Sequence, residues 1–209
     1  MKTPRAISLI GALAVASVVL AARPSAQQPP PTTAGLPAAQ LKVIKTALGK
    51  AGAVTINAVM MEFTGTFDDL PARFEAFQKE FDSQGLNKGK MAARPVGIYA
   101  VYEDPRGKSS YRLGVGLQVQ GKQTVKDPLK TETFTAPRAV RVPHSGSYKQ
   151  LQNVHDAIAE QAKGGGAPKT LAATSPSFPS IVRLLDNDPR KVPDNRRRAE
   201  LIVPFGGTK

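Results

Sequence analysis

One segment of this chain occurs twice, and that constrains the fold more than any other feature. Phe63-Thr64-Gly65-Thr66-Phe67-Asp68-Asp69-Leu70 and His144-Ser145-Gly146-Ser147-Tyr148-Lys149-Gln150-Leu151 align glycine on glycine, aromatic on aromatic and leucine on leucine, at an offset of 146 − 65 = 81 residues. Each copy follows an apolar run and opens an amphipathic one. Phe67, Leu70, Phe74, Phe77 and Phe81 recur at helical spacing and put four phenylalanines and a leucine on one face. Tyr148, Leu151, His155, Ile158 and Ala162 repeat that stripe. Pro71 fits a helix only in its first turn, where the missing N–H costs nothing. Ser147 followed by Gln150 predicts a capping box. Gln84-Gly85 and Gly164-Gly165-Gly166 end the two helices.

Branched, apolar runs bounded by turns predict the strands. They are Val54 to Phe63, Val96 to Tyr102 and Tyr111 to Val119 in the first copy, and Ala139 to Pro143, Ile181 to Leu185 and the stretch around Leu201 and Val203 in the second. Asp104-Pro105-Arg106 recurs as Asp188-Pro189-Arg190 at 189 − 105 = 84, and Leu117 and Val119 match Leu201 and Val203 at that same offset. The fold class is therefore α+β, built from two strand-helix-strand-strand units. Repeat one spans about 53–120 and repeat two about 131–206, with Gly121 to Lys130 as a polar connector.

Ahead of the repeats, Lys2 and Arg5 precede an uncharged run from Ile7 to Ala22, which is short for a membrane span and suited to a secretory signal. Residues 1–26 are expected to be a signal peptide, or alternatively an inner-membrane anchor, so the domain is expected in the periplasm or outside the cell. Residues 27–40, centred on Pro29-Pro30-Pro31, read as a Pro-rich linker, and the domain proper as 41–206. Leu41 to Leu48 fits either a short strand or a helical turn.

The formal charge of +13 suits an acidic partner, such as a membrane surface, an anionic polymer or an anionic ligand. The chain has no cysteine and two histidines, which argues against a disulfide framework and a metal centre. No spacing assembles a catalytic triad, and no cofactor motif is present. Arg196-Arg197-Arg198 reads as a solvated edge strand guarded by charge. Nucleic-acid binding is not expected, since no reading helix precedes the domain and aromatics make up 6% of the residues.

The order of His144 to Tyr148 opening a helix, Leu185-Asp186-Asn187-Asp188-Pro189 closing a strand, Leu201 to Phe205 ending a basic stretch, and Ile98 to Pro105 in the first half resembles the gyrase-inhibitor-like (GyrI-like) ligand-binding domain. The resemblance covers roughly residues 40 to 206 and rests on four matched segments in order. It implies two units related by pseudo-twofold symmetry, a concave antiparallel sheet with two helices on one side, and a ligand groove near the axis. Family members serve as effector-binding domains of transcription activators, as stand-alone gyrase-inhibitor-like proteins and, in some cases, as hydrolases of strained cyclopropane-bearing toxins.

Departures from the family pattern shape the expected site. Many ligand-binding members carry a groove-facing glutamate six residues before the second proline; here 189 − 6 = 183 is Arg183, which would favour an anion. Leu185 stands where an aromatic is usual. Tyr99, six before Pro105, is expected opposite Arg183. The candidate ligand-binding residues are Arg183, Tyr99, His144, Tyr148, Leu185 and Val101. Arg183 could instead lie on the outer face paired with Asp186 or Glu103, Tyr99 could be a core tyrosine, and His144 a capping residue. His155 reads as a core or boundary residue. The hydrolase members use a tryptophan and a glutamate, and this chain has no tryptophan. The expected function is a non-catalytic small-molecule-binding module, exported or membrane-tethered, for an anionic or amphiphilic ligand. The alternatives are a structural or protein-interaction module of the cell envelope, or a hydrolase that pairs a nucleophile with a base in the groove.

Overall fold

A computed structural model describes residues 35–86, 96–121, 123–186 and 191–206. The expected leader, most of the Pro-rich linker and the second Asp-Pro-Arg turn lie outside them. Six strands form one antiparallel sheet: β1 (Gly52–Gly65), β2 (Gly97–Val101), β3 (Tyr111–Gln118), β4 (Lys130–Ser145), β5 (Ser180–Leu184) and β6 (Arg198–Pro204). Their order around a closed ring is β1-β3-β2-β5-β6-β4. Exchanging β1 with β4, β3 with β6 and β2 with β5 leaves that ring unchanged.

Strand length closes the sheet. The second parts of β1 and β4 pair with β3 and β6, while their first parts pair with each other, Ile56 opposite Phe134 and Ala58 opposite Glu132. The expected strand Ala139 to Pro143 is thus the end of a longer one. Its start takes in Lys130 and a run of alternating threonines, whose polarity resembles a connector but suits a strand with one wet face.

Register assigns every side chain to a face. Met61, Val115, Tyr99, Val182, Leu201 and Val142 pair in sequence to make one row across the sheet, and all six belong to the core beneath the helices. In the next row Met60, Gly116, Ile98, Arg183, Glu200 and Pro143 point the other way. On that face Val54, Ile56, Ala58, Met60, Ile98, Ala100, Ile181 and Ile202 form a second cluster, over which no helix packs among the described residues, so the closed sheet covers it with its own opposite wall. Small residues make this interior feasible. At Gly116 even a β-carbon would stand 2.0 Å from the Val59 carbonyl oxygen.

These rows correct one expectation. Met61 and Val142 are 81 residues apart and head equivalent rows, so the counterpart of Tyr99 is Val182, while Arg183 corresponds to Ala100. The 84-residue offset taken from the turns does not hold inside the strands. A one-residue slip in register reverses the face of a side chain.

Helices cover the outer face. α1 (Ala38–Leu48) buries Ile44, Ala47 and Leu48 against β4 and a later helix, and Leu36 is buried ahead of it. The folded unit therefore reaches back before residue 41, into the stretch expected to be linker. After β1 a 3-10 turn (Phe67–Asp69) leads into α2 (Leu70–Ser83), with Pro71 in its first turn and Phe77 and Phe81 buried. After β4 a matching turn (Tyr148–Gln150) leads into α3 (Leu151–Lys163), which buries Leu151, Val154, Ala157, Ile158 and Ala162. α4 (Lys169–Ala172) follows as a single turn.

The capping box forms in the other copy from the one expected. Asp69 Oδ2 accepts from the Thr66 N–H at 2.7 Å and from its hydroxyl at 3.1 Å, whereas Ser147 Oγ accepts only from the Lys149 N–H, at 3.3 Å. The two repeated glycines also serve different ends. A β-carbon on Gly65 would meet Asp69 Oδ2 at 2.6 Å, while Gly146 turns the chain at φ 134°. Arg198 begins β6, which is paired on both sides, so the arginine run enters an interior strand and not an edge.

Candidate functional site, a groove between two helices

α2 and α3 pack on the same face but leave the central pair β2 and β5 partly uncovered. The result is an open groove of about 1230 Å³. Tyr99, Val101, Ser180, Val182, Leu184, Leu201 and Val203 make its floor. Phe67, Leu70, Phe74 and Gln78 form one wall, and Tyr148, Leu151, Gln152 and His155 the other. Phe178, Leu185, Asp186 and Arg197 stand at its ends.

Of the residues singled out in the sequence, Tyr99, Val101, Tyr148 and Leu185 line this groove; Arg183 and His144 do not. Arg183 projects from the opposite face. There its Nη1 donates to Glu200 Oε2 at 2.7 Å and its Nε to Gln118 Oε1 at 2.9 Å, an ion pair with about a fifth of each side chain exposed (23% and 19%). Neither Asp186 nor Glu103 is its partner. Such a guanidinium is already satisfied and out of reach of the groove. His144 is sealed beneath the turn that opens α3, 3% exposed, with Nε2 3.1 Å from the Ser147 carbonyl oxygen. A carbonyl can only accept, so Nε2 carries the proton, and Nδ1 is left buried without a partner. His144 caps a turn.

Tyr99 stands at the centre of the floor. It is 6% exposed, its ring meets Phe67 edge-on at 6.2 Å, and its hydroxyl has no hydrogen-bond partner among the described residues. Burial raises its pKa far above the ordinary phenol value, so the hydroxyl remains a donor at any physiological pH. Tyr148 is anchored more firmly. It donates to the Arg198 carbonyl at 3.1 Å and lies 3.4 Å from Asp186 Oδ2, with the Arg197 guanidinium 5.5 Å above its ring. Burial, then the Asp186 carboxylate, pushes its pKa up to about 12.

Asp186 closes that end. Burial works against its charge, but the Arg198 N–H at 2.7 Å and the Arg198 Nε at 3.1 Å outweigh it and hold its pKa below the usual carboxylate value. Leu185 beside it is the large hydrophobic residue left exposed among the described residues, at 39%. The lining also holds Asp68, Glu75, Asp82 and Asp186 together with Lys79, Lys149 and Arg197, so the rim carries both signs.

The sequence reading missed His155 and Ser180 as groove residues. The His155 Nε2 is 3.2 Å from Ser180 Oγ, and its ring stacks on Phe178 at 5.7 Å. The stripe places His155 on the inner face of α3, but no spacing rule links it to a serine on a strand 25 residues away. Among the described residues no group of three or more histidines, acids or cysteines could hold a metal ion, and no helix is long and apolar enough to cross a membrane.

No family model matches the chain, and no curated protein matches it. Solved structures do. The chain is similar to EcmrR in the EcmrR-DNA complex (TM-score 0.58, 12% identity), covering 76% of this chain and 57% of that one. It is also similar to the EcmrR C-terminal domain alone (TM-score 0.56, 13% identity), covering 76% of this chain and 99% of that domain. SAV2435 bound to tetraphenylphosphonium matches at a TM-score of 0.40 and 13% identity. The chain thus spans little more than half of EcmrR as seen on DNA, and the shared part is the fold of its C-terminal domain.

Proposed function

We propose that this protein is a GyrI-like small-molecule-binding domain whose groove between α2 and α3 holds a neutral amphiphile with an aromatic or branched apolar body and a hydrogen-bond acceptor. The Tyr99 hydroxyl carries the reading. It is a donor with no hydrogen-bond partner among the described residues, on the floor of an open groove walled by aromatic rings, where a ligand acceptor can reach it. Phe67, Phe74 and Tyr148 supply apolar area, and Leu185 extends it to the rim. A neutral ligand fits better than an anion, because Arg183 serves the other face and the rim charges of both signs offset each other.

Titration of the full chain with N-phenylnaphthylamine, a neutral fluorescent amphiphile, tests this. Saturable binding is expected, weakened more than tenfold by Val101→Trp, which fills the floor. For competing ligands that carry a carbonyl, Tyr99→Phe should cost about fivefold, the worth of one hydrogen bond. Absence of saturable binding, or binding indifferent to both substitutions, overturns the reading. The same proposal places the domain outside the cytoplasm, on the strength of the uncharged run in residues 1–26. Cell fractionation with N-terminal sequencing of the recovered protein tests that part, and an intact cytoplasmic chain would refute it.

A further inference from the structure

The groove also holds a polar pair that binding alone does not require. Ser180 begins β5 on the groove face, 4% exposed, and its Oγ stands 3.2 Å from His155 Nε2. The His155 ring is held in place by the Phe178 ring stacked on it at 5.7 Å. Its other nitrogen, Nδ1, is 3.8 Å from Asp156 Oδ1, beyond hydrogen-bond reach. Stacking therefore sets the ring plane, and the pair is a dyad and not a triad. His144, by contrast, is enclosed beneath a turn, whereas His155 and Ser180 both line the open groove.

We propose that Ser180 and His155 act as nucleophile and general base in the hydrolysis of a carboxylic ester seated in the groove, a reading that rests on the amphiphile-binding function above. With its proton on Nδ1, His155 presents the Nε2 lone pair to the Ser180 hydroxyl. Ser180 Oγ bonds to the acyl carbon as its proton passes to Nε2. Collapse of the tetrahedral species breaks the acyl–oxygen bond, and the departing alkoxide takes that proton and leaves as the alcohol. Water then adds to the acyl-serine and gives a proton to Nε2, and cleavage of the Ser180 ester bond releases the carboxylic acid and restores the hydroxyl. Ester and water become acid and alcohol, with no change of oxidation state. The negative charge that develops on the acyl oxygen needs a donor. Tyr99 stands on the same face of the neighbouring strand, where Val101 pairs with Ser180 and Tyr99 with Val182, and its hydroxyl has no hydrogen-bond partner among the described residues.

The test measures p-nitrophenyl butyrate hydrolysis by the full chain, fluorophosphonate labelling by intact mass, and N-phenylnaphthylamine binding. Expected are turnover above the buffer rate, a single label on Ser180, and a loss of about 100-fold or more in kcat for both Ser180→Ala and His155→Gln, with no further loss in the double variant. Tyr99→Phe should lower kcat more than it raises KM. If His155→Gln fails to fold, Ser180→Ala and the label decide the matter. Hydrolysis that survives Ser180→Ala, or no hydrolysis and no label, overturns the dyad; the binding reading then stands or falls on the fluorophore titration alone.

Discussion

The two halves of this molecule share a path but not a chemistry. Where the first has Phe63, Phe67 and Phe74, the second has His144, Tyr148 and His155. Inside the closed sheet, where the first has Ala100 and Gly114, the second has Arg183 and Glu200. Each polar replacement has found a partner: a carbonyl for His144 and for Tyr148, Ser180 for His155, and Glu200 for Arg183. The first half keeps its aromatic contacts instead. Phe67 meets the Tyr111 ring at 5.3 Å where Tyr148 meets the Arg197 guanidinium, and the Tyr102 ring fills the space above Gly114. One backbone plan therefore tolerates an apolar and a polar solution, provided that each polar side chain in these positions makes at least one hydrogen bond. Tyr99, whose counterpart is Val182, makes none with the described residues, and it is the residue on which the functional proposal rests.

Substitutions that make the second half resemble the first would break this comparison, and the Arg183 pair should show the largest effect. Arg183→Met leaves Glu200 unpaired inside the sheet and is expected to cost about 2 kcal/mol in urea denaturation, less than a fully buried pair because both side chains retain some exposure. Fluorophore binding should not change, because Arg183 lies on the other face. A loss of binding without a loss of stability would reverse that assignment. Next, His155→Phe restores the first-half residue and strands the Ser180 hydroxyl, at about 1.5 kcal/mol. Adding Ser180→Ala should return most of that, and a double variant as unstable as the single would refute the partnership. Helix entry separates the halves more finely. Thr66→Ala dismantles a complete capping box and should cost about 1 kcal/mol, whereas Ser147→Ala removes a long bond from the Lys149 N–H and one to the exposed Asp194 carboxylate and should cost about half as much.

The smallest effect concerns pH. Tyr102 donates to Glu132 Oε2 at 2.7 Å, yet burial and the neighbouring Glu62 raise the Glu132 pKa above its ordinary value of 4.5. A carboxyl raised in the folded state favours folding when protonated. Its contribution is therefore full below pH 4.5 and declines as the pH climbs through the raised value. Glu132→Gln should flatten that decline in a stability profile taken from pH 4 to 7; a profile that keeps the same slope would exclude Glu132 as its source.

Much of the framework was legible in the sequence because it depends on local patterning. The aromatic stripe required a helix from Phe67 to Phe81, Pro71 limited where it starts, and the branched runs marked β1, β2 and β3 to within a few residues. The first part of β4 was hidden because a strand with one solvated face carries threonine and charge, as a connector does. α1 was ambiguous because its short apolar run suits either period, and contact with β4 and α3 settles it as a helix.

The candidate site divides along the same line. Tyr99 and Leu185 were expected at the groove from the family pattern counted back from the turn prolines, and both line it together with the other candidates Val101 and Tyr148. Arg183 was misplaced because an offset measured at a turn was carried into a strand, where a single residue of slip changes the face. The Ser180 and His155 pair could not be read at all, since it joins a strand to a helix across 25 residues. What the sequence by itself determined is the order of the elements and which stripe of each helix is apolar, because both follow from the period of the side chains along one element. Tertiary structure alone decided the closure of the sheet, the face of Arg183 and the meeting of His155 with Ser180, because register and packing are relations between elements that no single stretch of chain contains.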